Sequence, residues 1–189
     1  MIYVIRHGQT SLNRARALQG RSDAPLNEKG EEQARKAGSL MAERGIAFSH
    51  VFSSPLQRAV QTAELVAPGV PVQCDERLIE MDYGPYDGID LTSPPPEIVT
   101  FFNDFVHNPA PEGMEQLTDV VSRTGAFVEE LKGFEGDVLI STHAIAMKGI
   151  LEYLTPGSGG SYWSKYLGNC AVYAIPVEEG HLGVPSELL

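Results

Sequence analysis

A chain of 189 residues with a formal net charge of -11 reads as one domain, long enough to bury about 70% of the surface its unfolded form exposes. That acidity excludes nucleic acid and anionic membranes as partners, since both are bound through a basic footprint. Two cysteines in apolar surroundings, Cys74 and Cys170, read as buried thiols of a reducing compartment; Arg6 ends the first apolar run too early for a signal peptide, and no run approaches the ~18 residues of a membrane span, so the expected location is the cytoplasm.

Ile2 to Ile5 are β-branched or aromatic without polar alternation, the pattern of a strand buried on both faces of a parallel sheet. Arg6 and His7 then stand at its carboxyl end, where ligands bind in open α/β sheets, and Gly8 would let the backbone approach a ligand closely. The first 25 residues hold Arg6, Arg14, Arg16 and Arg21 against the single acid Asp23, a local basic cluster suited to a small anion, although Arg14 and Arg16 individually also read as solvated. After a turn-rich loop from Arg21 to Leu26, Asn27 can cap a helix running to about Glu43, with Ala34, Ala37 and Met41 on one face and Gly45 as its stop.

His50 to Ser53 form the second expected strand, and Ser54 with Pro55 make a helix start, as N-cap and first helical residue. Leu56, Ala59, Val60, Ala63 and Val66 give that helix an inward stripe, leaving Arg58 near an N-terminus whose free N–H groups favour anions. Pro71 to Cys74 is a short third strand, followed by the acidic run Asp75 to Asp82. There the apolar Leu78 and Ile79 would desolvate the carboxyl of Glu80, as an acid catalyst requires; Asp82 is its rival. A proline-punctuated segment with a helix through Ile98, Phe101, Phe102 and Phe105 reads as a lid-like insertion around residues 91–114. A scaffold helix spans about Glu115 to Lys132. Asp137 to His143 repeats the first pattern, an apolar strand ending in histidine, and the helix Ala144 to Leu154 follows. Gly157 to Ser161 is a flexible connection, and Ala171 to Pro176 a last strand.

Arg6-His7-Gly8 with Thr10 and Asn13, the Gly20, Asp23, Pro25 and Leu26 loop, the run Ser53 to Ala63 around Arg58, the Leu78 to Gly84 segment around Glu80, and His143 occur in the order of a known family. The chain resembles the histidine phosphatase superfamily, in its small phosphatase branch, over essentially its whole length. The resemblance implies a three-layer α/β sandwich with a mostly parallel central sheet flanked by helices, phosphoglycerate-mutase-like, as one domain over 1–189. It implies His7 as nucleophile forming a phosphohistidine, Glu80 as general acid, and Arg6, Arg58 and His143 as catalytic groups holding the phosphoryl group. Phosphate-binding roles follow for Arg6, Asn13, Gln19, Gly20, Arg58, His143 and the backbone of Ala144. The pattern departs from the family where Tyr86 replaces a usual tryptophan, Asp87 a glutamate, Ala144 a glycine and Lys148 an arginine.

The four groups His7, Arg58, Glu80 and His143, each beyond a strand's carboxyl end, suit phosphoryl transfer without a cofactor or metal. The expected activity is hydrolysis of a small phosphorylated metabolite. α-Ribazole phosphate, phosphoserine, sugar phosphates and nucleotides all remain open as substrates, and the oligomeric state is not legible. Alternatives are a cofactor-dependent phosphoglycerate mutase, which resembles this chain but usually carries a longer insertion after the acid segment; a noncatalytic phosphate-binding module; and a metal hydrolase built on His7, His143 and Glu80, against which the adjacent Arg6 argues by repelling a cation.

Overall fold

A computed structural model describes residues 1–189. The strands are β1 (Ile2–Arg6), β2 (Phe48–Ser53), β3 (Val72–Cys74), β4 (Asp137–Thr142), β5 (Val172–Ile175) and β8 (Ser186–Glu187), in one sheet of order β3-β2-β4-β1-β5-β8. A separate hairpin pairs β6 (Val177–Glu178) with β7 (His181–Leu182). The β1–β4, β2–β4 and β2–β3 pairings are parallel, whereas β5 runs antiparallel to β1 and to β8. The helices are α1 (Ser11–Arg14), α2 (Glu28–Glu43), α3 (Gln57–Val66), α4 (Pro96–Asn103), α5 (Leu117–Glu130) and α6 (Ala144–Leu154).

Side-chain alternation along β1 separates the layers. Ile2 and Val4 face one core with Phe127, Val128 and Met147 of α5 and α6, while Tyr3 and Ile5 face another with Ala34, Met41 and Ala63 of α2 and α3. Full burial of an aliphatic side chain contributes about 1.5–3 kcal/mol, so the continuous apolar run of β1 is explained by its two-sided position. The helices that follow the neighbouring strands β1 and β4 cover opposite faces, which opens a crevice between the two carboxyl ends. A third apolar cluster, holding Ile98 and Phe101 of α4 with Met81, Tyr83, Ile145 and Trp163, stands over that crevice.

α2 begins where its cap requires, with the Asn27 side chain accepting the Gly30 N–H at 2.9 Å, and ends before Gly45, whose φ is 77°. α3 differs from expectation. It starts at Gln57, not at Pro55, and its cap is Asp23, which accepts the Gln57 N–H at 2.8 Å from a distant loop, while Ser54 turns inward. Cys170 is buried as expected, but Cys74 is exposed, because it ends the edge strand β3, where no neighbouring strand or helix covers it. Gly8 also has a different reason from the one expected: a Cβ there would lie 2.4 Å from the Gly30 carbonyl oxygen, so the glycine admits α2 against the end of β1. No helix is long and apolar enough to cross a membrane.

Candidate active site

Because β1 and β4 pair in register with Arg6 opposite Thr142, the residues that follow them, His7 and His143, come together with ring centroids 5.2 Å apart. The His7 Nδ1–H donates to the Gly8 carbonyl at 2.7 Å, since only the oxygen can accept. That leaves Nε2 as the unprotonated nitrogen. Arg58 Nε donates to it at 3.2 Å, which aims a guanidinium at the same lone pair. Burial first, then the charges of Arg58 and Arg6, holds the His7 imidazole well below its ordinary value of 6.5 and hence neutral.

Arg58 is fully buried, on the first turn of α3. Its other nitrogens donate to the Ser22 carbonyl at 2.8 Å and the Gly20 carbonyl at 2.6 Å, so the loop after α1 wraps the guanidinium. Burial pulls its pKa down to about 10. His143 is likewise buried; its Nε2 shares a 2.7 Å hydrogen bond with Ser54 Oγ, and Nδ1 has no protein partner. Burial, followed by the charge of Arg58, lowers its pKa well below 6.5.

A cavity of about 510 Å³ opens beside these groups, walled by Arg6, His7, Asn13, Gln19, Glu80 and Ala144 at one end. Arg58 and His143 stand behind His7 rather than in the wall. Glu80 is the only carboxyl lining the cavity, only 3% exposed, and accepts N–H bonds from Met81, Ala146 and Ile145 at 2.9, 3.0 and 3.2 Å, the last two at the N-terminus of α6. Asp82 turns outward to pair with Arg21 at 3.2 Å. Arg6 sends Nη1 to the Leu167 carbonyl while its buried Nε has no protein partner, and Gln19 Nε2 is in the same state. The Gln19 carbonyl oxygen accepts from Thr10 Oγ1 at 2.7 Å and Asn13 Nδ2 at 3.3 Å, so the free amide of Gln19 is fixed in direction.

Gly20 is not in the wall; its N–H donates to Asp87 at 3.0 Å and its carbonyl is held by Arg58, which makes it part of the support. Of the basic cluster expected in the first 25 residues only Arg6 reaches the cavity, since Arg21 is paired with acids and Arg14 and Arg16 are exposed. His7, His143 and Glu80 form no metal-ligand cluster. Four residues that fall within or beside the motifs, but that the sequence assigns no role at the site, contribute to it. Ser54 orients His143, Thr62 accepts the Gly8 N–H at 3.0 Å, Asp87 holds the Gly20 and Ser22 N–H groups, and Lys148 lines the cavity. Asn169, just before β5, donates to the His7 carbonyl at 3.0 Å.

The same arrangement of chain occurs elsewhere. A model of the histidine phosphatase superfamily (branch 1) matches residues 2–185. A probable phosphoglycerate mutase, GpmB, of Salmonella choleraesuis is 32% identical over 189 residues, covering 94% of this chain and 85% of that protein. Among solved structures, Bacillus stearothermophilus YhfR superposes with a TM-score of 0.83 at 29% identity, over 97% of this chain and 94% of its own. A mycobacterial glucosyl-3-phosphoglycerate phosphatase in complex with VO3 gives 0.82 at 26% identity, over 93% and 92%. The chain belongs to the histidine phosphatase superfamily.

Proposed function

We propose that the protein is a phosphomonoester hydrolase acting on a small phosphorylated metabolite through a phosphohistidine on His7. The observation that carries this reading is the state of the His7 ring: Nδ1–H bonded to the Gly8 carbonyl, and a lone pair on Nε2 at the wall of a cavity beside two guanidinium groups. In the first step the Arg58 Nε–H leaves Nε2 for a phosphoryl oxygen, the freed lone pair attacks phosphorus, the bond to the leaving oxygen breaks, and Glu80 gives that oxygen a proton. In the second, water attacks the phosphohistidine, Glu80 takes the water's proton, the Nε2–P bond breaks with its electron pair returning to Nε2, and inorganic phosphate departs. Arg6, the Gln19 amide and the α6 N-terminus at Ala144 are positioned to steady the equatorial oxygens, and Arg58 adds charge beside the bond being made. None of these steps calls on a metal. The lid-like role of residues 91–114 is part of the proposal, supported by Phe102 and Phe105 in the cavity wall, and so is a cytoplasmic location.

The Salmonella relative's name keeps phosphoglycerate mutase as a second reading, in which the phosphoryl group returns to a bound hydroxy acid instead of water. Rapid quench of a turnover mixture into denaturing alkali, with aliquots then exposed to acid, tests the first. An acid-labile, base-stable phosphoryl label on His7, absent in His7→Ala, is expected, with inorganic phosphate as product. Label on serine or aspartate removes the mechanism; 2-phosphoglycerate formed from 3-phosphoglycerate, without phosphate release, makes the enzyme a mutase.

A further inference from the structure

The far end of the cavity is not explained by phosphoryl transfer. It is walled by Phe102, Phe105 and Trp163, and one cation stands among these rings. Lys148 lies one helical turn beyond Ala144 on the same face of α6, about 6 Å along the axis from the phosphoryl end. Its ammonium group donates to the Trp163 carbonyl at 2.7 Å and sits 5.6 Å from the centre of the Phe105 ring. No carboxylate forms a salt bridge with it, in contrast to Lys165 at the rim, which pairs with Glu187 at 2.7 Å.

The acids nearest in effect are otherwise engaged. Glu80 is held by its N–H donors, and Glu152 accepts from Ser158 Oγ and the Tyr162 N–H, both at 2.7 Å. Burial pulls the Lys148 pKa down to about 8, with Arg6 acting in the same direction and Glu80 and Glu152 opposing it. A buried ammonium without a counter-ion is costly, and only one of its three N–H bonds is used by the protein. Lys148 is itself buried against Phe105 and Trp163, so a negative group that reached it would be bound more strongly than at an open surface.

We infer that Lys148 recognises a carboxylate on the alcohol portion of the substrate, so that the cavity selects phosphomonoesters of short hydroxy acids over uncharged alkyl phosphates. The inference rests on the reading of His7 and Arg6 as the phosphoryl end of the cavity. The competing explanation is that Lys148 is only a strut for the Trp163 loop.

3-Phosphoglycerate and glycerol 3-phosphate separate the two, because they differ only in a carboxylate against a hydroxymethyl group. Calorimetric titration into the His7→Ala protein measures binding without turnover, with Lys148→Gln and Lys148→Arg added to that background. Gln can still donate to the Trp163 carbonyl but carries no charge. We expect preferential binding of 3-phosphoglycerate, a loss of roughly tenfold to a hundredfold for that ligand in Lys148→Gln against a few-fold for glycerol 3-phosphate, and recovery in Lys148→Arg. Equal losses for both ligands, or no initial preference, would overturn the inference in favour of the strut. Phosphate release from p-nitrophenyl phosphate by the unaltered enzyme reports on the catalytic reading separately: its failure beside an intact Lys148-dependent preference would sink the phosphatase and leave the subsite standing.

Discussion

At the scale of single residues, Glu80 and Asp82 lie in different surroundings, the first buried in the cavity wall and the second an outward-facing partner of Arg21, and the proposed acid role rests on that difference. Proton donation matters in proportion to how poor the leaving group is: an alkoxide needs the proton and a nitrophenolate hardly does. Glu80→Gln should therefore slow hydrolysis of an alkyl phosphate by about 10² to 10⁴ and of p-nitrophenyl phosphate far less. The amide also disturbs the N–H bonds from Met81, Ile145 and Ala146, but that disturbance is common to both substrates and cancels in their ratio. Single-turnover rates are the measurement, so that breakdown of the phosphohistidine cannot mask the first step. Equal losses on both substrates would take Glu80 out of the acid role, and a leaving-group effect in Asp82→Asn would transfer the role to Asp82.

Among elements, the loop between α1 and α2 shows how the site is held from outside itself. Asp87 accepts the Gly20 N–H at 3.0 Å and the Ser22 N–H at 2.9 Å, the carbonyls of the same two residues bind Arg58, and Asp23 of the same loop caps α3, which carries Arg58. Asp87→Ala strands two part-buried donors and frees the loop that fixes Gln19. The expected cost is about 1–3 kcal/mol in urea unfolding, with a fall in kcat/KM on the order of tenfold to a hundredfold from misplaced binding groups. Unchanged values in both measurements would mean that Arg58 alone holds the loop. What was legible in the sequence follows the same division. α2, α6 and the two histidine-ending strands carry their signals locally, in caps, apolar periodicity and a glycine stop, and the structure has them within a residue or so of expectation. α3 starts later than Ser54 and Pro55 signal locally, because its cap, Asp23, lies 34 positions from Gln57 in the chain. Ser54, Asp87 and Lys148 stand in the motifs, but their roles come from partners brought by the fold, so the local pattern carries their positions and not what they hold. The close approach that requires Gly8 is to Gly30 of another element, which no local signal carries.

On the scale of the whole molecule, a chain of net charge -11 keeps two neutral imidazoles and a buried guanidinium at its centre, and this ties stability to pH. His7 and His143 are held well below 6.5 by burial and by the neighbouring guanidinium charges, whereas in the unfolded chain they regain their ordinary affinity for protons. As pH falls below about 6.5 the unfolded state binds more protons than the folded state, so stability falls, by up to about 1.4 kcal/mol per pH unit for each histidine, until the folded-state pKa is reached. Above about 6.5 this contribution is fully present. Other shifted groups titrate elsewhere: Asp75 and Glu130 have pKa values lowered from the ordinary carboxylate range, and Lys148, at about 8, and Arg58, at about 10, lie above the window. Urea unfolding at pH 7.5 and pH 5.5 should show a clear loss of stability at the lower pH, and His7→Gln, which cannot take up the proton in either state, should lose less over the same interval. A pH dependence in His7→Gln as steep as in the unaltered chain would mean that His7 is already able to bind its proton in the folded protein, and would remove the neutral nucleophile on which the proposed chemistry depends.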